Sequence, residues 1–178
     1  MANSQAVATP AQPLLLERNG WVPNNPRLPV LIYPKAIAVQ GSDPAALFEK
    51  IFNANGWPPQ WRYGVYNYHH YHTEGHEVLG IASGHARLML GGPLGHVLEV
   101  GPGDVLLLPA GTGHCNLESS DDFLVVGAYP PGQHADICRE APTAAQLASI
   151  DALPFPHRDP VQGVDGAVGQ YWVSQRQQ

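Results

Sequence analysis

From Gly64 to Tyr129 the sequence is cut into short pieces. Apolar or alternating stretches recur at 64–72, 77–82, 86–90, 96–100, 104–108 and 123–129, punctuated by Gly and Pro. Runs this short, at this spacing, predict an all-β sandwich or barrel, with 64–129 as its core. The 178 residues include 19 Gly and 18 Pro, which suits many turns and excludes a long helical bundle or coiled coil. The length fits one domain, 1–178, able to bury a sizeable core.

The flanks read differently. Residues 1–13 are small and polar and predict a loose tail. Prolines at 23, 26, 29 and 34 force an extended arm, in which Val30, Leu31 and Ile32 predict one edge strand. Ser42 to Asn55 predicts a helix, with Pro44 in its first turn and an apolar stripe of Leu47, Phe48, Ile51 and Phe52. Trp57, Pro58, Pro59 and Trp61 read as a rigid link. Thr143 to Leu153 predicts a second helix, with Thr143 and Gln146 at capping-box spacing and Leu147 and Ile150 on one face. The end, from Asp159, reads as loop, with Val161, Tyr171 and Trp172 able to pack back.

Charge narrows the function. Nine Lys and Arg against 15 Asp and Glu give −6, so no basic patch for nucleic acid or an anionic membrane is expected. No secretory signal and no stretch of the ~18 apolar residues of a membrane span is visible. Cys115 and Cys138 do not make a disulfide framework. A cytoplasmic protein is expected.

Nine His equal all Lys and Arg together. His70 and His72 sit two apart, so in a strand both imidazoles share a face. Glu77 follows five residues after His72, and GDVLLLPAGTGH places His114 after a buried strand and a Pro-Gly turn. Three neutral imidazoles and one carboxylate, brought together, suit a divalent transition metal. His76 adjoins Glu77, but the bulky Leu79 and Ile81 share the parity of Glu77 and predict an inward apolar wall. His69 and Tyr71 have the outward parity, and His85, His96, His134 and His157 read as structural or solvated. Tyr66 and Tyr68 share the parity of the two His, as cavity lining or as core aromatics. Arg87 reads as a clamp for a substrate carboxylate or as a solvated strand charge. Cys115 alternates away from His114 as a packing residue. No catalytic residue beyond the metal ligands is singled out.

Here the chain resembles the cupins. Gly64, His70, His72, Glu77 and Gly84 match G-x(5)-H-x-H-x(4)-E-x(6)-G, and Gly103, Pro109, Gly111 and His114 match G-x(5)-P-x-G-x(2)-H. The Asn that usually closes the second motif is Glu118 here, and Asn116 lies two residues earlier. PNNPRLP, NGWPP, HEVLGIASGHA and DDFLVVGAYPPG are similar to stretches of the small YjlB-like cupins. The resemblance implies a jelly-roll (double-stranded β-helix) barrel, after an arm and helix and before a short helix. It implies one divalent transition metal, Fe, Mn, Ni or Zn, on His70, His72, Glu77 and His114. By family analogy the expected function is a metal-dependent enzyme of the oxygenase type, acting on a small organic molecule. A Lewis-acid isomerase or lyase, and a non-catalytic ligand- or metal-binding module, stay open. A homodimer is expected, because the apolar arm at 21–34 would otherwise leave an open edge.

Overall fold

The computed structural model describes residues 9–177. Its strands are β1 (Gln12–Leu14), β2 (Val30–Tyr33), β3 (Pro59–Tyr63), β4 (Glu77–Ser83), β5 (Ala86–Leu90), β6 (His96–Val100), β7 (Val105–Leu108), β8 (His114–Ser119) and β9 (Leu124–Ala128). The helices are α1 (Pro44–Ala54) and α2 (Ala144–Ala152), and the chain closes with a π-helical turn, Val168–Val173, and a 3-10 turn, Ser174–Gln177.

Every strand pairing is antiparallel. One sheet has six strands in the order β1-β2-β7-β4-β9-β3; the other has three, β6-β5-β8. The fold is thus an all-β jelly roll, as expected, whose strands form two sheets rather than one closed barrel.

Strand periodicity assigns the core. In β4 Val78 and Ala82 join the apolar cluster under α1, whereas Leu79 and Ile81 join the cluster that also holds Leu88 and Leu90 of the other sheet. The strand is therefore covered on both faces. Gly80 is where α1 sits down: a Cβ there would lie 2.4 Å from Phe48 Cδ1 and 2.9 Å from Phe52 Cζ. Gly80→Ala is expected to destabilise the protein by about 1–3 kcal/mol through overpacking, read as a lower urea midpoint.

Several expectations need correction. The predicted strand at 64–72 is not regular; the strand lies earlier, at β3, in the stretch read as a link. Pro59 is tolerated because it opens a strand at the sheet edge, where its missing N–H costs no ladder bond. Of the tail at 1–13, residues 1–8 lie outside the described residues, and Gln12 and Pro13 pair with Ile32 and Leu31. β2 is no edge strand; it lies between β1 and β7, since the prolines flank Val30–Tyr33 and leave its N–H groups intact. Val30, Leu31 and Tyr33 are buried within the chain, so the open edge behind the homodimer expectation is covered.

Both helices form where predicted. Thr143 and Gln146 make the reciprocal capping box. Only Ile150 of the α2 face is buried, and Leu147 is exposed. From Asp159 to Gly166 the end is turns, as expected, and beyond that it is helical; Trp172 packs back fully buried, and its Nε1 donates to the carbonyl of Pro29 at 2.9 Å.

Candidate metal centre

The two histidine segments are joined by backbone. His70 N donates to the His114 carbonyl at 3.3 Å and His114 N to the His70 carbonyl at 3.0 Å. Gly111 N donates to the His72 carbonyl at 2.8 Å, and Asn116 N to the Tyr66 carbonyl at 2.9 Å. Single bonds of this kind replace the regular strand expected at 64–72. Gly111 makes the turn: its φ is +92°, and a Cβ there would lie 2.6 Å from the Asn24 carbonyl oxygen. His70 and His114 therefore sit opposite each other, with ring centroids 4.1 Å apart.

Each imidazole is then fixed by its Nδ1. His70 Nδ1 lies 2.9 Å from the Tyr68 carbonyl, His72 Nδ1 2.5 Å from the Asp136 carbonyl, and His114 Nδ1 3.0 Å from the Thr112 carbonyl. A carbonyl only accepts, so each Nδ1 carries the hydrogen, which is an assignment from the bonding pattern. In the neutral ring Nε2 is then the lone-pair nitrogen. One ligand nitrogen from each of the three rings lies within 4.8 Å of the others, and all three residues are buried. Glu77 Oε1 lies 3.5 Å from both His72 Nε2 and His114 Nε2. Two donors about 2.1 Å from one ion, at about 90–110°, lie about 3.0–3.4 Å apart, so the 3.5 Å contacts of Glu77 are close to that spacing, and the buried histidine triad could hold a metal ion.

The electrostatics agree. Burial and the neighbouring His114 push His70 down to about 3, so it stays a neutral imidazole. Burial opposes charge on His72, but the Glu77 carboxylate outweighs it and raises that ring. Burial also opposes charge on Glu77, and the His72 and His114 rings outweigh it, holding the carboxyl below its usual range. A carboxylate in this nest already has a cationic partner to seek; a dication would take the proton's place.

Tyr129 and Trp61 complete the arrangement. Trp61 Nε1 donates to Tyr129 Oη at 2.7 Å, and Tyr129 Oη donates to Glu77 Oε2 at 2.9 Å. Burial, then the Glu77 charge, raises the Tyr129 phenol, so it stays a donor. One carboxylate oxygen is thereby tied back, leaving the other toward the histidines. Tyr129→Phe is expected to weaken metal binding about 10- to 100-fold with the fold intact, as read by competition against a chromophoric chelator. Asp136 plays a similar part for His72: its carboxylate accepts from Thr73 N, Thr73 Oγ1 and Glu74 N, which holds its carbonyl under the His72 ring.

A cavity of about 580 Å³ opens over the cluster, walled in part by Trp61, Tyr63, Tyr66, Leu79, Tyr129 and Ile137. Of the predicted lining residues, Tyr66 and Leu79 reach it. Tyr68 stacks on Tyr66 at 5.1 Å, under the Arg139 guanidinium, and is not in the wall. Ile81 lies four residues beyond Glu77, about 13 Å along the strand, in the core between the sheets. Arg87 is on the outer face of β5, half exposed and 3.9 Å from Glu118, so it holds nothing in the cavity.

His76 faces the other way, as its parity predicts. Its Nδ1 accepts from Ala110 N at 2.9 Å, and its ring packs 5.1 Å from Trp172. Tyr71 is not outward in the sense of solvated: it is buried against Trp21 and bridged to Cys138. His69 is half-buried. His85, His96 and His157 are exposed; His134 is too, but it stands at the cavity rim, paired with Glu74 at 2.6 Å. Cys115 is buried. Glu118 is exposed in β8, which runs on through Asn116.

The sequence reading missed Tyr129, Trp61 and Asp136. Tyr129 was within reach, because it shares parity with Val125 and continues the ladder in which Val78 faces Ala128, opposite Glu77. Asp136 gave no signal, since it comes from a loop with no periodicity.

Fold and cluster together define a two-sheet antiparallel jelly-roll protein with a buried three-histidine site able to hold a metal ion. No family model matches the chain. It is 36% identical over 157 residues to a protein of Bacillus subtilis (strain 168) named Uncharacterized protein YjlB, a match spanning 87% of this chain and 92% of that one. The chain belongs to the YjlB family. No helix among the described residues is long and apolar enough to cross a membrane.

Proposed function

We propose that this protein is a metal-binding cupin that holds one divalent transition metal on His70, His72, Glu77 and His114 and acts on a small organic molecule. The observation that carries this reading is the set of three Nδ1 atoms fixed on backbone carbonyls, which leaves three buried ring nitrogens within 4.8 Å of one another, two of them 3.5 Å from the Glu77 carboxylate. A nitrogen and oxygen donor set without thiolate suits Fe, Mn, Ni or Zn.

An ion held by these four protein donors would keep positions open to a small molecule, and the cavity above the cluster gives access. The ion would supply Lewis acidity and, as iron, redox chemistry. The chain's own residues bind and orient: Tyr129 holds Glu77, and Leu79 gives the wall an apolar side. Of the chemistries open to such a centre, we favour an oxygenase-type oxidoreductase.

The test loads the protein with Fe(II) and, separately, with Zn(II), and follows dioxygen with an electrode on adding acetylacetone, catechol or a flavonol. Uptake by the iron form alone supports the oxygenase. Full iron occupancy without uptake on any of them overturns the oxygenase and leaves a metal-binding module. Turnover by the zinc form without oxygen would instead favour a Lewis-acid isomerase or lyase.

A further inference from the structure

Resting on that metal-site reading, we infer that the ligand of this cavity is an uncharged planar aromatic molecule that brings a hydroxyl or carbonyl oxygen to the cluster, and not a sugar phosphate or a carboxylate. Two features of the cavity wall carry this.

The first is how its polar groups are used. Gln133 accepts from His76 N through Oε1 and donates to the Pro154 carbonyl through Nε2. Gln60 donates to the Pro58 carbonyl, and the Trp61 and Tyr129 donors are spent on the Glu77 relay. A ligand phosphate or carboxylate needs charge-assisted donors. Arg62 is the one Arg or Lys in the wall among the described residues, and it already faces two carboxylates, Asp43 at 3.0 Å and Glu49. His134 faces Glu74. On a chain of net charge −6, the guanidinium and the exposed imidazole of the wall are each already paired with carboxylates, which leaves no unpaired cation in the wall, among the described residues, for an entering anion.

The second is the aromatic surface. Tyr63 and Tyr66 are 62% and 40% exposed, large values for aromatic side chains, and their rings lie 6.0 Å apart at the mouth. Tyr66 is held from behind by Tyr68, stacked at 5.1 Å and 12°, and meets His70 edge-on at 5.4 Å. A ring entering along Tyr66 is therefore led toward His70 and the open side of the cluster. Stacking and apolar contact are what such a wall offers, and the volume of about 580 Å³ holds a two-ring molecule with room to spare. A dication against the Glu77 carboxylate would leave one positive charge, which suits an oxygen donor and disfavours a cationic ligand, so the choice of a neutral ligand over an anion rests on the wall's lack of an unpaired cation.

The probe pair is 2-naphthol and 2-naphthyl phosphate, alike in ring and opposite in charge, titrated calorimetrically into the zinc-loaded protein and into the same protein stripped with EDTA. The expected result is 2-naphthol binding at least about ten-fold tighter than the phosphate, and binding about five- to ten-fold weaker in Tyr66→Ala, with zinc content unchanged. Phosphate binding equal to or tighter than 2-naphthol overturns the inference. So does full zinc occupancy with no 2-naphthol binding, which leaves the metal reading standing. Binding of 2-naphthol that is lost in Tyr66→Ala, by a protein that takes up no zinc, retires the metal reading and supports the aromatic pocket by itself.

Discussion

His114→Ala is expected to lower the affinity for Zn(II) or Ni(II) by more than about 100-fold, a larger loss than substitutions outside the direct donors cause. The ring contributes twice. Its Nε2 is one of the three nitrogens that converge, and it lies 3.5 Å from Glu77 Oε1, so its removal also leaves that buried carboxylate with one partner fewer. Glu77→Gln should weaken binding strongly as well, because a neutral amide no longer offsets the charge of the ion. His76→Ala is the control. His76 is as buried as its neighbour, yet its Nδ1 is used by Ala110 N and its ring lies against Trp172, on the other face of the sheet. It should lose stability and keep metal affinity near wild type. Titration of the three variants against a chromophoric chelator decides this; His76→Ala without binding beside Glu77→Gln with wild-type affinity would mean the strand's faces are reversed.

Asp159→Ala is expected to cost about 3–5 kcal/mol of stability, far from the metal centre. Asp159 is fully buried. Its Oδ2 accepts from Tyr33 Oη at 2.5 Å and Val168 N at 3.1 Å, and its Oδ1 from Val161 N and Gln162 N, both at 2.8 Å. Burial, and then the Asp159 charge, raises the Tyr33 phenol, which keeps it a donor. Four donors lose their acceptor together in the Ala variant, and each unpaired buried group costs about 1–3 kcal/mol. Loss of the buried charge itself offsets part of that sum. The carboxylate ties the C-terminal turn to β2, so the damage should spread to the packing of Trp172. Urea unfolding followed by tryptophan fluorescence measures it. A loss below about 1 kcal/mol would show that water or a rearranged loop replaces the carboxylate.

Much of this was legible in the sequence because it depends on parity. The shared face of His70 and His72 and the opposite faces of Glu77 and His76 both follow from alternation along an extended chain. Parity also tempted the reading too far. It placed Ile81 in the cavity wall, although Ile81 lies too far down its strand, and it left Tyr68 open between lining and packing, where Tyr68 stacks behind Tyr66. It assigned a regular strand to 64–72, where single backbone bonds hold an irregular segment. What alternation cannot reach is pairing between distant loops. Asp136 beneath His72 and Asp159 beneath Tyr33 are set by tertiary contacts 64 and 126 residues apart along the chain. Of the two readings of Arg87, the solvated strand charge is the one found, on the exposed face of β5.

A single metal centre on His70, His72, Glu77 and His114 is tested most directly by elemental analysis joined to thermal unfolding. Protein loaded with Fe(II), Mn(II), Ni(II) or Zn(II) and desalted should carry one ion per chain. With free metal at about 100 times its dissociation constant, binding to the native state alone adds about 2.7 kcal/mol, which for a chain of this size raises Tm by about 5–11 °C over the EDTA-treated protein. That rise is expected in the native chain and is expected to be absent in His114→Ala. No retained metal of any of the four kinds, with a Tm unmoved by both metal and chelator, would contradict it.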